Sequence, residues 1–154
     1  EYIKWSATNR LTWKDYKGTP QSNADAAAST ATYLSMEYSV KDNKLKFTVS
    51  GAFNKNKSWV LVKNDHILGH EQGHFDIAEV FARKLYKSLS EYKFNKRTYQ
   101  KDMAKIYNTI NKEKEAMQNK YDDETDYSRN KTAQTQWLIK IKNMLKEIEA
   151  FADY

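Results

Sequence analysis

His70-Glu71-Gln72-Gly73-His74 is the stretch of this chain whose residue types and spacing carry a definite chemistry. On a helix, residues four apart stand one turn apart on one face, so the two imidazoles of an H-E-x-x-H run can converge on one ion. The Glu beside the first His projects next to that face, placed to take a proton from a water that the metal acidifies. Imidazole and carboxylate donors around a four-coordinate ion with one open position suit zinc. Only three His occur in the whole chain, so a chance match at this spacing is rare.

The neighbours of the run divide into users and bystanders. Gly73 costs about 1 kcal/mol relative to Ala inside a helix, and its expected use is to let another segment come close to the metal. His66 and His74 are eight residues apart, about 12 Å along a helix axis, so both cannot reach one ion. His66 is therefore expected on the surface or the rim of a cleft. Glu79 lies about 180° around the helix from His70, and is expected to orient a His of another element or to face solvent. The third ligand must come from elsewhere. Tyr121-Asp122-Asp123-Glu124-Thr125-Asp126-Tyr127-Ser128 is a dense source of oxygen donors, and Asp122, Glu124, Asp126 and Tyr127 are all candidates.

The elements that must position these residues follow from periodicity. Leu34, Met36, Tyr38 and Val40 alternate with polar residues, and Leu45, Phe47 and Val49 do so again after Lys41-Asp42-Asn43-Lys44. Two such runs around a short polar break predict an antiparallel hairpin. Ser58 to Val62 is a short third strand candidate, placed to pair with a substrate peptide by strand addition. Gln21 to Ser29 reads as a loop, and Leu11 to Pro20 as a strand and turn packed on the core. From Asn64 the period becomes helical, with Asn64 or Asp65 as the cap. Further helices are predicted around Tyr99 to Met117 and Trp137 to Phe151, with the acidic cluster between them. The expected fold is α+β: a small antiparallel sheet followed by about three helices, in one domain over residues 1–154.

Composition excludes several classes. There is no Cys, hence no thiol nucleophile and no thiolate zinc finger. No apolar run approaches the ~18 residues of a membrane span. The net charge of +6 comes from 26 basic and 20 acidic residues spread along the chain, which reads as a solvated lysine-rich surface and not as a nucleic-acid stripe. A start at Glu1 instead of Met is compatible with removal of an upstream export segment.

The segment His70-Glu71-Gln72-Gly73-His74-Phe75-Asp76-Ile77-Ala78-Glu79, followed by Ala82-Arg83, resembles the core of a bacterial family of predicted secreted zinc-dependent proteases, also catalogued as a domain of unknown function. Two further blocks match it: Leu11-x-Trp13-x-Asp15-Tyr16-x-Gly18-x-Pro20 and Tyr121-Asp122-x-x-Thr125. The resemblance implies a zincin-like fold, zinc as cofactor, peptide-bond hydrolysis and export to the periplasm or cell exterior. The family pattern has a His two positions after the Thr, where this chain has Tyr127. Asp122 then serves as the third ligand, with Tyr127 donating a hydrogen bond to the oxyanion and Asp126 as the reserve ligand. A phenol exchanges with imidazole more readily as a donor than as a ligand, because its ordinary pKa is about 10. The expectation is a monomeric zinc endopeptidase with Glu71 as base, acting on a peptide or protein. The alternative is an inactive peptidase-like binding module.

Overall fold

The computed structural model describes residues 1–154 and has the α+β architecture that the periodicity predicts. The hairpin is formed by β3 (Thr32–Lys41) and β4 (Lys44–Asn54), in register from Thr32↔Phe53 to Lys41↔Lys44. Asp42 and Asn43 turn the chain with φ of 53° and 58°, the left-handed pair that a two-residue hairpin loop requires. The strand β1 (Tyr2–Lys4) pairs with the other edge of β4, completing a three-stranded sheet of order β1-β4-β3.

Two short segments depart from the expected outline. Only Trp59–Val60 of the third candidate is a strand, β5, and it pairs with β2 (Ala28–Ser29), which closes the stretch expected to be a loop. The pair forms a separate two-stranded sheet. Strands of two residues show no alternation, so periodicity could not find them. The block around Trp13 is a turn of 3-10 helix, Trp13–Asp15, and not a strand, although its Leu11 and Tyr16 do pack in a core cluster with Phe53 and Phe75.

Three helices follow: α1 (Asp65–Glu91), α2 (Tyr99–Thr125) and α3 (Lys131–Glu147). Asn64 caps α1 by accepting the Ile67 N–H at 2.8 Å. The acidic cluster, expected between two helices, is helical through Thr125, so α2 carries it to within one turn of its end. No helix is long and apolar enough to cross a membrane.

Helix α1 is the axis of the molecule, packed against the sheet, α2 and α3. Every residue from His70 to Arg83 is buried, on all sides of the helix. Ile77, Val80, Phe81, Leu85 and Leu89 meet Leu34 and Val49 of the sheet and Met103, Ile110, Trp137 and Ile141 of the other helices. A helix buried all round has no solvent face, so its polar residues need partners inside the protein. That requirement governs the site.

Candidate metal centre

His70 and His74 point from α1 toward the last turns of α2, where Asp122 meets them. Its Oδ1 lies 3.0 Å from Nε2 of His70 and 2.9 Å from Nε2 of His74. One ligand atom from each of the three residues can be chosen so that all lie within 4.8 Å of one another. Spacing placed the two His together, and Asp122 is the member of the acidic cluster that joins them.

The hydrogen bonds behind the rings determine which nitrogen carries the proton. Nδ1 of His70 lies 2.6 Å from Oε1 of Gln134, and Nδ1 of His74 lies 2.6 Å from Oε1 of Gln118. The Gln118 amide nitrogen donates to the His74 carbonyl at 2.8 Å. A carbonyl only accepts, so the Gln118 amide has one possible orientation and its oxygen faces the ring. The Tyr121 hydroxyl donates to the His70 carbonyl at 3.0 Å and accepts from the Gln134 amide at 2.7 Å, which orients Gln134 in the same way. Both His therefore carry a proton on Nδ1, and each Nε2 that faces the Asp122 carboxylate is a bare lone pair unless its ring takes up a second proton. Without that second proton or a cation, three acceptors converge on one point.

Such a cluster demands positive charge between its members. Protons alone would require two imidazolium rings at a centroid separation of 4.9 Å in a buried pocket. A divalent cation satisfies all three donors at once, and two imidazoles with one carboxylate match the donor set of zinc. Burial opposes charging His74, but the hydrogen bond and charge of Asp122 outweigh it and raise its pKa to about 9. Burial likewise opposes the Asp122 carboxylate, and the two His hold it well below the usual carboxylate range.

Gly73 has the close-approach role expected of it. A Cβ there would sit 2.8 Å from Cζ of Tyr121, whose ring stacks on His70 at 4.5 Å and meets the edge of His74 at 4.9 Å. The approaching segment is thus the Tyr121 phenol of α2, which burial keeps protonated as a donor.

The centre opens into a cleft of about 430 Å³. One wall is residues 26–33, and the other is Glu115, Gln118, Asp122, Tyr127 and Ser128. Glu71 also lines the cleft, its Oε2 accepting from the Thr30 hydroxyl at 2.5 Å. Trp59 of β5 also lines the cleft, beside residues 26–33, and Leu61 and Val62 donate back to the Ala27 carbonyl at 2.7 and 3.1 Å.

Tyr127 reaches the cleft from a turn in which Asp126, Tyr127 and Ser128 hold φ of 48°, 51° and 78°. Non-glycine residues in the left-handed region cost of order 1–3 kcal/mol each and gather at functional sites. His66 supports this turn from the rim by donating its Nε2–H to the Ser128 carbonyl at 2.6 Å. Asp126 faces solvent and pairs with Arg129, and Glu124 accepts from Trp137 at 2.7 Å, so neither joins the centre. Glu79 corrects both expectations made for it. It is buried and bound to Arg83 at 2.8 Å and to the Tyr154 hydroxyl at 2.5 Å, and it neither faces solvent nor touches a His.

Sequence reading passed over Gln118, Gln134 and Thr30. Gln118 stands one helical turn before Asp122, a spacing that could have nominated it once Asp122 was chosen. Gln134 and Thr30 carry no such signal.

No curated protein and no solved structure matches the chain significantly. A family model does match residues 4–130, from the first strand through the turn after α2, and so covers both cleft walls, His70, Glu71, His74 and Asp122. This chain belongs to the family described as bacterial protein of unknown function (DUF922).

Proposed function

We propose that this protein is a zinc-dependent metallopeptidase of zincin type, with His70, His74 and Asp122 holding the ion and Glu71 as general base. The observation that carries the reading is the convergence of two Nε2 atoms and a carboxylate oxygen, with both Nδ1 atoms committed to glutamine carbonyls. Zinc bound there would supply Lewis acidity, polarising a peptide carbonyl and acidifying a water molecule.

The chain's own groups divide the remaining work. Glu71, one residue along α1 from His70, has one carboxylate oxygen held by Thr30 and the other free to take the proton of the attacking water. It then returns that proton to the leaving amine. Tyr127, on the cleft wall, donates to the developing oxyanion. Residues 26–33, which line the cleft together with Trp59 of the Ser58 to Val62 segment, offer main-chain groups to an extended peptide. The family resemblance supports action outside the cytoplasm.

The test is zinc content together with hydrolysis of a peptide library. Wild type should bind zinc stoichiometrically after dialysis in metal-free buffer. Glu71→Gln should keep the zinc and lose about 10²–10⁴ in rate, because an amide cannot take the proton. A wild type that takes up no zinc, or a Glu71→Gln variant of undiminished activity, would refute the assignment. Full zinc occupancy with no cleavage of any peptide would leave the binding-module reading in its place.

A further inference from the structure

The block from Leu11 to Pro20 has no catalytic role in the scheme above, yet one of its side chains leads to the base. The Tyr16 hydroxyl lies 2.8 Å from Oγ1 of Thr30, and Thr30 donates to Oε2 of Glu71 at 2.5 Å. A hydroxyl has one proton. Thr30 gives its proton to Glu71, so it must accept from Tyr16, and the direction of the chain is fixed. Tyr16 is able to donate throughout, because burial and then the charge of Glu71 push its pKa far above the ordinary phenol value.

The source of this chain is rigid. Tyr16 is buried, its ring 5.0 Å from Trp13 and 5.1 Å from Phe53. Lys17 N–H and Gly18 N–H donate to the carbonyls of Lys55 and Ser58 at 2.9 and 2.8 Å. At Gly18 a Cβ would stand 2.8 Å from the Ser58 carbonyl oxygen, so the block lies as close to the β4–β5 connection as a backbone can.

We infer that Thr30, backed by Tyr16, is the positioning residue that fixes the Glu71 carboxylate, presenting one oxygen to the cleft and withholding the other. No proton travels along the chain: Thr30 and Tyr16 keep theirs while the free oxygen of Glu71 takes the proton of the attacking water and passes it to the leaving amine. The inference deepens the peptidase reading and rests on it. It gives the Trp13 block a task beyond packing.

The experiment uses the zinc-loaded protein and compares Thr30→Val, Thr30→Ser and Tyr16→Phe. Thr30→Val should retain zinc and KM while kcat falls by about 10–100-fold, the usual cost of an outer hydrogen-bond partner. Thr30→Ser, which keeps the hydroxyl, should recover most of that loss, and Tyr16→Phe should lose less than Thr30→Val. A second readout needs no turnover. The Tyr16 hydroxyl proton, identified by its absence in Tyr16→Phe, should give a slowly exchanging NMR signal that moves upfield in both Thr30→Val and Glu71→Gln. Wild-type kcat in Thr30→Val, a Thr30→Ser variant as slow as Thr30→Val, or a signal blind to Glu71→Gln would each overturn the inference. A zinc-loaded wild type that hydrolyses nothing would instead remove the base that Thr30 positions, and this failure shows in wild type before any variant is made.

Discussion

Two sides of α1 bury polar residues over the same turns, and they solve the problem in opposite ways. On one side Asp76 accepts from the Trp5 indole at 2.8 Å, from both terminal nitrogens of Arg10 at 3.0 and 2.6 Å, and from the Gln72 amide at 3.0 Å. Gln72 in turn accepts the Leu11 N–H at 2.8 Å, and Glu79 takes Arg83 and Tyr154. Every acceptor there has a donor from this chain. On the other side the Nε2 atoms of His70 and His74 meet the Asp122 carboxylate, acceptor against acceptor unless a proton or a cation lies between them. The first arrangement is complete and fastens the terminal segments to the helix, whereas the second is completed by protons or, on the proposed reading, by a zinc ion. Burial of polar groups is common to both and does not by itself mark a functional site; the mismatch of donors and acceptors does.

The comparison breaks first at Asp122. Asp122→Ala should release zinc, by more than the 10–100-fold that a supporting residue costs, whereas Asp126→Ala should leave the affinity near wild type. Equilibrium dialysis against a chelator of known affinity decides it. Retention of zinc by Asp122→Ala would mean that the three acceptors do not act as one site.

The next effect is a pH dependence. Folded His74 holds its proton up to about 9, because the Asp122 carboxylate outweighs the opposing effect of burial. Zinc must displace that proton, so affinity rises with pH and does so until the folded pKa is passed. One displaced proton gives about tenfold per pH unit, hence about 100-fold between pH 7 and 9. A site with ordinary imidazoles would level off near 6.5. Chelator competition across that range measures the slope, and a plateau below about pH 7 would contradict the Asp122–His74 coupling.

The smallest effect on zinc belongs to the satisfied side. Asp76→Ala leaves the Trp5 indole and the Arg10 guanidinium without their acceptor and should cost about 1–3 kcal/mol in urea unfolding. Arg10 is 45% exposed and can turn to water, which favours the lower end. Zinc stoichiometry should stay at the wild-type value. Loss of zinc from a folded Asp76→Ala protein would show that the two sides of α1 are coupled.

Much of this contrast was legible before the structure, and its limits have physical causes. The four-residue spacing of His70 and His74, the hairpin and the Asn64 cap are local signals, and the structure has each of them. Gly73 was legible as a closeness requirement, though not as a seat for Tyr121. Glu79 was misread because face arithmetic assumes that a helix has a solvent side, and α1 has none between His70 and Arg83. Gln118, Gln134 and Thr30 were missed because they are uncharged, common, and 44, 64 and 41 residues from the groups they hold. Only the tertiary fold gives those residues their meaning.

That separation orders events in time. Asp122 lies 52 and 48 residues downstream of the two imidazoles it meets, and Gln134 lies 12 residues further on, in a helix beyond the segment the family model matches. A ribosome or an export channel delivers the His pair first, when it has only two thirds of its donors and nothing behind its rings. The acidic partner arrives with the end of α2, and the rear support of His70 with α3. A nascent chain cannot assemble the centre ahead of its fold, so on the proposed reading zinc uptake is a timer that starts only when the helices have docked.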